Sequence, residues 1–246
     1  MARGSSGVPL FRFSNRPFIL IVQIFRWICF FMYAFAIGWI NTHPLPPDTI
    51  NFGGNIKYLT YWNLLFQFAL FALINYCDMF IPQTGQNRSS VARSNVLSKL
   101  RDLIHHGIAF PIGMAVTILF WTIYAIDAEL VYPVKVRPYY PEWLNHITHT
   151  FVCLTVIIEE IVYYHPRDNR KAFITLFTFL ALYFSWFIYL GYVINLWVYP
   201  VVRIVPDIYK LPFILSFSLL FLALFYLINF VHGALWQIRP RKEKRR

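Results

Sequence analysis

Two histidines three residues apart, His146 and His149, lie in the stretch WLNHITHT (143–150), directly ahead of the apolar run FVCLTVIIEEIVYY. Imidazole in such surroundings can ligate a metal, relay a proton, act as a general base, or hold helices together by hydrogen bonds. At about 100° per residue, Asn145 shares the face of His149, Glu160 returns to nearly the same angle, and His146 sits on the flank. A second stripe carries Thr60, Asn63, Gln67 and Asp78. A threonine hydroxyl beside a neutral imidazole is a nucleophile with its base. Asn63, Gln67 or Asn145 would then be candidate donors to an oxyanion or groups that orient His149, with His146 tuning the site.

The same groups admit blander uses. Thr60 can bond a carbonyl one turn back while His149 bonds Asn63, as polar residues often do between membrane helices. A metal at His146 and His149 lacks an obvious third ligand, since Glu160 is too deep. His105 and His106 fall at the opposite end of their span, across roughly 30 Å of hydrocarbon. No metal site is expected. Asp78, Asp127, Glu159 and Glu160 raise proton-coupled transport, but repeated halves and broken helices are not evident in the sequence.

The elements that must position these residues are membrane spans. With 58% hydrophobic and 13% charged residues, the chain cannot clothe a soluble domain of 246 residues. Six apolar runs, near 17–40, 57–80, 103–127, 142–164, 171–199 and 210–236, approach the ~20 residues that cross a bilayer. They predict an all-α polytopic protein: a cytosolic segment 1–16, a six-helix transmembrane domain 17–236 and a basic cytosolic tail 237–246. The first run lacks a small-residue cleavage site and reads as a retained span.

The net charge of +11 does not point to nucleic acid, because the Lys and Arg residues sit in short loops and the tail. Sixteen lie on one side, among them Arg3, Arg12, Arg88, Arg93 and the tail. Five lie on the other: Lys57, Lys135, Arg137, Arg203 and Lys210. That asymmetry predicts both termini in the cytosol. It also puts Thr60 and His149 at comparable depth near the non-cytosolic surface. Cys29, Cys77 and Cys153 fall in apolar runs and imply no disulfide framework. The ending KEKRR matches a dilysine retrieval pattern, which points to the endoplasmic reticulum; a basic stop-transfer tail, compatible with the plasma membrane, matches equally.

Three stretches, FGGNIKYLTYWN (52–63), AFPIGMAVTILFWTIYAIDAELVYP (109–133) and WLNHITHT, together with WVYP (197–200), resemble the family of the androgen-induced gene product and the androgen-dependent TFPI-regulating protein. These are multi-pass membrane hydrolases of fatty acid esters of hydroxy fatty acids. The resemblance spans about residues 17–236. It implies Thr60 as nucleophile and His149 as general base, a membrane lipid as substrate, no cofactor, and an acyl tunnel walled by Phe120, Trp121 and Tyr124. Two departures stand out: Ala128 where the family has a basic residue, and Ile147–Thr148 where it has a small residue followed by an apolar one. The rival readings are a non-enzymatic membrane regulator and a lipid or proton-coupled transporter. Oligomeric state is left open.

Overall fold

The computed structural model describes residues 16–45, 52–81 and 95–236. Arg3, Arg12, Arg88, Arg93 and the KEKRR tail, which carry much of the charge asymmetry, lie outside these residues. Every regular element among the described residues is helical. In chain order these are α1 (Arg16–Thr42), α2 (Leu59–Phe80), α3 (Val96–Ile126), α4 (residues 142–162), α5 (Asn169–Tyr192), a short α6 (Pro200–Ile204) and α7 (Asp207–Leu235). Two long helices contain a π turn: His105–Ala109 in α3 and Ile147–Phe151 in α4.

Five helices, α1, α2, α3, α5 and α7, are long and apolar enough to cross a membrane. The sequence suggested six. The helix not among the five is α4, which carries Glu142, Glu159, Glu160 and both histidines of WLNHITHT. Two boundaries also move. α3 begins at Val96, seven residues earlier than expected, because the Asn95 side chain accepts the Leu97 and Ser98 N–H groups at 2.8 and 3.4 Å. α5 stops at Tyr192, short of residue 199. There Asn195 takes a left-handed φ of 56° and the chain turns back, so that Trp197 covers Gly191. A Cβ on Gly191 would stand 2.4 Å from that ring, which only glycine avoids.

Two apolar clusters hold the bundle. One joins α3, α5 and α7 through Ile112, Tyr183, Phe187, Ile214 and Phe221. The other joins α1, α2 and α4 through Tyr33, Phe71, Leu144 and Val156. The outer faces remain apolar, with Ile21 and Phe31 of α1 and Leu219 and Phe230 of α7 more than 60% exposed, as helices solvated by lipid require. Buried charge also ties the helices: Arg26 of α1 bonds Glu159 of α4 at 2.9 and 2.5 Å and Asp78 of α2 at 2.6 Å.

Candidate active site

α2 starts where its surroundings permit. Gly53 holds φ 88°, a turn in which its missing Cβ lets Trp186 approach, and a 3-10 turn over Gly54–Lys57 leads into the helix. The first backbone N–H, that of Leu59, donates to the Tyr199 hydroxyl at 2.9 Å. Tyr199 belongs to WVYP, and its hydroxyl lies 3.3 Å from that of Tyr183 on α5. The motif therefore fixes the beginning of α2, one residue before Thr60.

Thr60 Oγ1 lies 3.2 Å from His149 Nε2 on α4. The other imidazole nitrogen, Nδ1, is 3.1 Å from the Asn145 carbonyl oxygen and 3.1 Å from Thr148 Oγ1. A carbonyl can only accept, so it places the proton on Nδ1 and leaves Nε2 bare toward the threonine. Thr148 is itself held: its hydroxyl donates back to the Leu144 carbonyl at 3.0 Å and accepts from the Tyr140 hydroxyl at 2.8 Å. Burial raises the Tyr140 phenol above its ordinary value, more than its bond to Thr148 lowers it, which keeps it a donor. The Phe120 ring stacks on His149, with centroids 3.7 Å apart and planes at 17°.

Thr60 and His149 both line a cavity of about 280 Å³, walled mainly by apolar side chains such as Val116, Phe120, Phe184, Phe187 and Phe221. Lys57, Lys135 and Arg203 also border it, and among the described residues none that lines it is acidic.

The remaining expected residues separate into three groups. Asn145 lines the cavity, but the part that reaches His149 is its backbone carbonyl; its side-chain oxygen is buried without a partner among the described residues. Asn63 and Gln67 are fully buried behind the cavity. Gln67 Nε2 donates to the Ala109 carbonyl at 2.9 Å and to Asn63 Oδ1 at 3.3 Å, so these two tie α2 to α3 and do not line the cavity. His146 points outward, bonds Thr150 Oγ1 at 3.2 Å and stacks on Trp121. Of the three tunnel aromatics only Phe120 lines the cavity. Trp121 instead donates to the His149 carbonyl at 3.2 Å and to Thr150 at 3.1 Å, and Tyr124 stacks behind Phe120.

Glu160 does not share the His149 face. The extrapolation over eleven residues assumed a straight α-helix, and the π turn Ile147–Phe151 inserts a residue that rotates the remainder of α4 by about 100°. Glu160 bonds His105 and His232 at the other end of the bundle. Sequence reasoning missed Tyr140, Thr148 and Tyr199 as supports of the pair; Thr148 was visible only as a departure and Tyr199 only as part of a motif.

The FAR-17a/AIG1-like protein family matches residues 21–233. The chain belongs to that family. It is 29% identical over 201 residues to the human androgen-induced gene 1 protein, covering 80% of this chain and 84% of that one. It is 27% identical over 229 residues to the human androgen-dependent TFPI-regulating protein, covering 91% and 97%. The mouse protein of the latter name is 33% identical over 150 residues, 61% of this chain and 63% of its own. No solved structure matches.

Proposed function

We propose that this protein is a membrane-embedded threonine hydrolase that cleaves fatty acid esters of hydroxy fatty acids. The observation that carries this reading is the 3.2 Å approach of Thr60 Oγ1 to the bare Nε2 of His149 inside an apolar cavity. His149 takes the Thr60 proton as the oxygen attacks the ester carbonyl. The hydroxy fatty acid leaves as an alkoxide, which His149 protonates. Water then hydrolyses the acyl-threonine with His149 again as base. The backbone N–H of Thr60, in the first turn of α2 where helices leave N–H groups without an intrahelical acceptor, is an oxyanion donor candidate beside Asn145, which lines the cavity. It replaces Asn63 and Gln67 in that role. The Arg203 guanidinium at the cavity rim suits a substrate that carries a free carboxylate.

The same reading has α4 as a sixth span, with both termini cytosolic. Its 21 residues would reach about 31 Å. Its two deep carboxylates, Glu159 and Glu160, are buried and paired inside, while Leu154, Ile158 and Ile161 face outward.

The test is hydrolysis of a branched fatty acid ester by protein purified in detergent, comparing wild type, Thr60→Ser, Thr60→Ala and His149→Ala, with fluorophosphonate labelling in parallel. Wild type should cleave and label, Thr60→Ser should retain part of both, and the two alanine variants should fail while staying folded. Folded wild type that neither cleaves nor labels would refute the proposal and return the polar pair to helix packing or a transport path.

A further inference from the structure

At the other end of the bundle, about 16 Å along α4 from His149, four histidines and a glutamate converge in a site unrelated to the cavity. His105 and His106 lie on the π turn of α3, Glu160 on α4, His165 in the following loop and His232 on α7. His105, His106, Glu160 and His165 are at most 1% exposed.

The fixed cation nearest in influence to this cluster is Arg167, whose charge acts on Glu160 without a direct bond between them among the described contacts. Glu159 is bonded by Arg26, and Asp102 by Arg101 at 2.7 Å and by His165 at 2.9 Å. Glu160, equally buried, faces imidazoles instead: His105 Nε2 at 2.9 Å, His232 Nδ1 at 2.7 Å and His106 Nδ1 at 4.0 Å. An ionised carboxylate in such a place requires positive charge, which a protonated imidazole, Arg167 or a bound ion can supply.

The tautomer of His106 says which kind. Its Nε2 is 3.2 Å from the His165 carbonyl oxygen, which can only accept, so the proton is on Nε2 and Nδ1 presents a lone pair. That lone pair lies 4.0 Å from the Glu160 carboxylate, an arrangement that a cation bound by both would favour. Arg167 Nη1 reaches Nδ1 only at 3.5 Å, and its guanidinium lies over the Phe225 ring. A carbonyl fixing the far nitrogen of a histidine is also how metal-binding histidines are oriented.

We propose that His105 Nε2, His106 Nδ1 and Glu160 Oε2 bind a divalent transition metal of the zinc class, with His232 holding the second Glu160 oxygen. The three ligand atoms lie within 4.8 Å of one another. Closing on an ion at zinc distances brings them to about 3.4 Å, a movement of side-chain size. Two imidazoles and one carboxylate, without sulfur, fit zinc and cobalt and exclude none of their first-row neighbours by donor type. The ion would clasp α3 to α4 and α7 through His232, and it stands independently of the proposed hydrolysis.

The experiment uses the full chain carrying a non-histidine affinity tag, purified in detergent with zinc in the medium, freed of loose metal by gel filtration and measured by mass spectrometry. Wild type and Thr60→Ala should both hold about one zinc per chain. His106→Gln and Glu160→Gln should lose it. Chelated wild type given cobalt should show the visible bands of a four-coordinate ion, with a rise in thermal midpoint. If Glu160→Gln does not fold, His106→Gln and the wild-type cobalt spectrum decide. Wild type with no stoichiometric metal and no cobalt bands overturns the proposal, as does metal retained undiminished in the variants.

Discussion

Arg26→Met removes the guanidinium that holds two carboxylates between α1, α2 and α4. Arg26 is 4% exposed, Glu159 fully buried and Asp78 largely buried, and the three bonds run 2.5–2.9 Å. Taking one partner from a buried ion network leaves the other charges uncompensated, which costs about 3–5 kcal/mol. For a chain of this size that lowers the thermal midpoint by roughly 6–20 °C. Glu159 would keep only its bond to His165 at 3.0 Å among the described contacts. The charge-neutral triple variant Arg26→Met, Asp78→Asn, Glu159→Gln should recover most of the loss, because replacing a whole buried network by uncharged groups is often near neutral. The assay is the thermal midpoint in one detergent, followed by tryptophan emission, with wild type, single and triple variants side by side. A single variant that melts no lower than the triple would show that the damage is lost packing of the arginine stem, and would refute the electrostatic reasoning.

Gly113→Ala would put a Cβ 2.9 Å from Gln67 Nε2 and 3.1 Å from the Val152 carbonyl oxygen. The side chain can yield but the backbone cannot, so about 1–3 kcal/mol of stability should be lost in denaturation, with hydrolysis falling as the π turn before Val152 shifts. Thr148→Val removes one of two acceptors beside His149 Nδ1 and leaves the Tyr140 hydroxyl without its partner; kcat should fall roughly 2–10-fold with little change in KM, and Thr148→Ser should restore it. The Asp168 carboxylate caps α5 by accepting the Lys171 N–H at 3.2 Å, and Asp168→Ala should cost about 0.5–2 kcal/mol at neutral pH while Asp168→Asn costs little. That bond holds its carboxyl below the ordinary value, so its contribution is present above the unfolded pKa and lost as pH falls through the folded one. The gap between wild type and Asp168→Ala should narrow below about pH 3.9.

Periodicity and loop charge place Thr60 and His149 at one depth, because both depend on rise per residue and on the sign of short loops. What neither could supply was the far side of the imidazole. The Asn145 carbonyl is invisible to a reading of side chains, and Tyr140 reaches Thr148 from a loop whose path has no sequence period. Tyr199 was legible as a motif but not as the acceptor at the head of α2. The assignment of Asn63 and Gln67 to the cavity failed for a different reason: a polar stripe shows which residues share a face, and that face turned out to be shared between the cavity and the α2–α3 contact.

The two π turns explain the largest departure. A wide turn releases the helix from its 3.6-residue period, so an extrapolated face is right before it and wrong after it. In α4 the turn lies between Asn145 and Glu160, which lets one helix present His149 to the cavity and Glu160 to the histidine cluster. In α3 the wide turn starts at His105, and both His105 and His106 are buried toward Glu160. The inserted residue in α4 thus separates two polar groups that a straight reading merges into a single stripe. Deleting one residue from the α4 turn should therefore disturb both centres at once, a coupling that side-chain substitutions at either end would not produce.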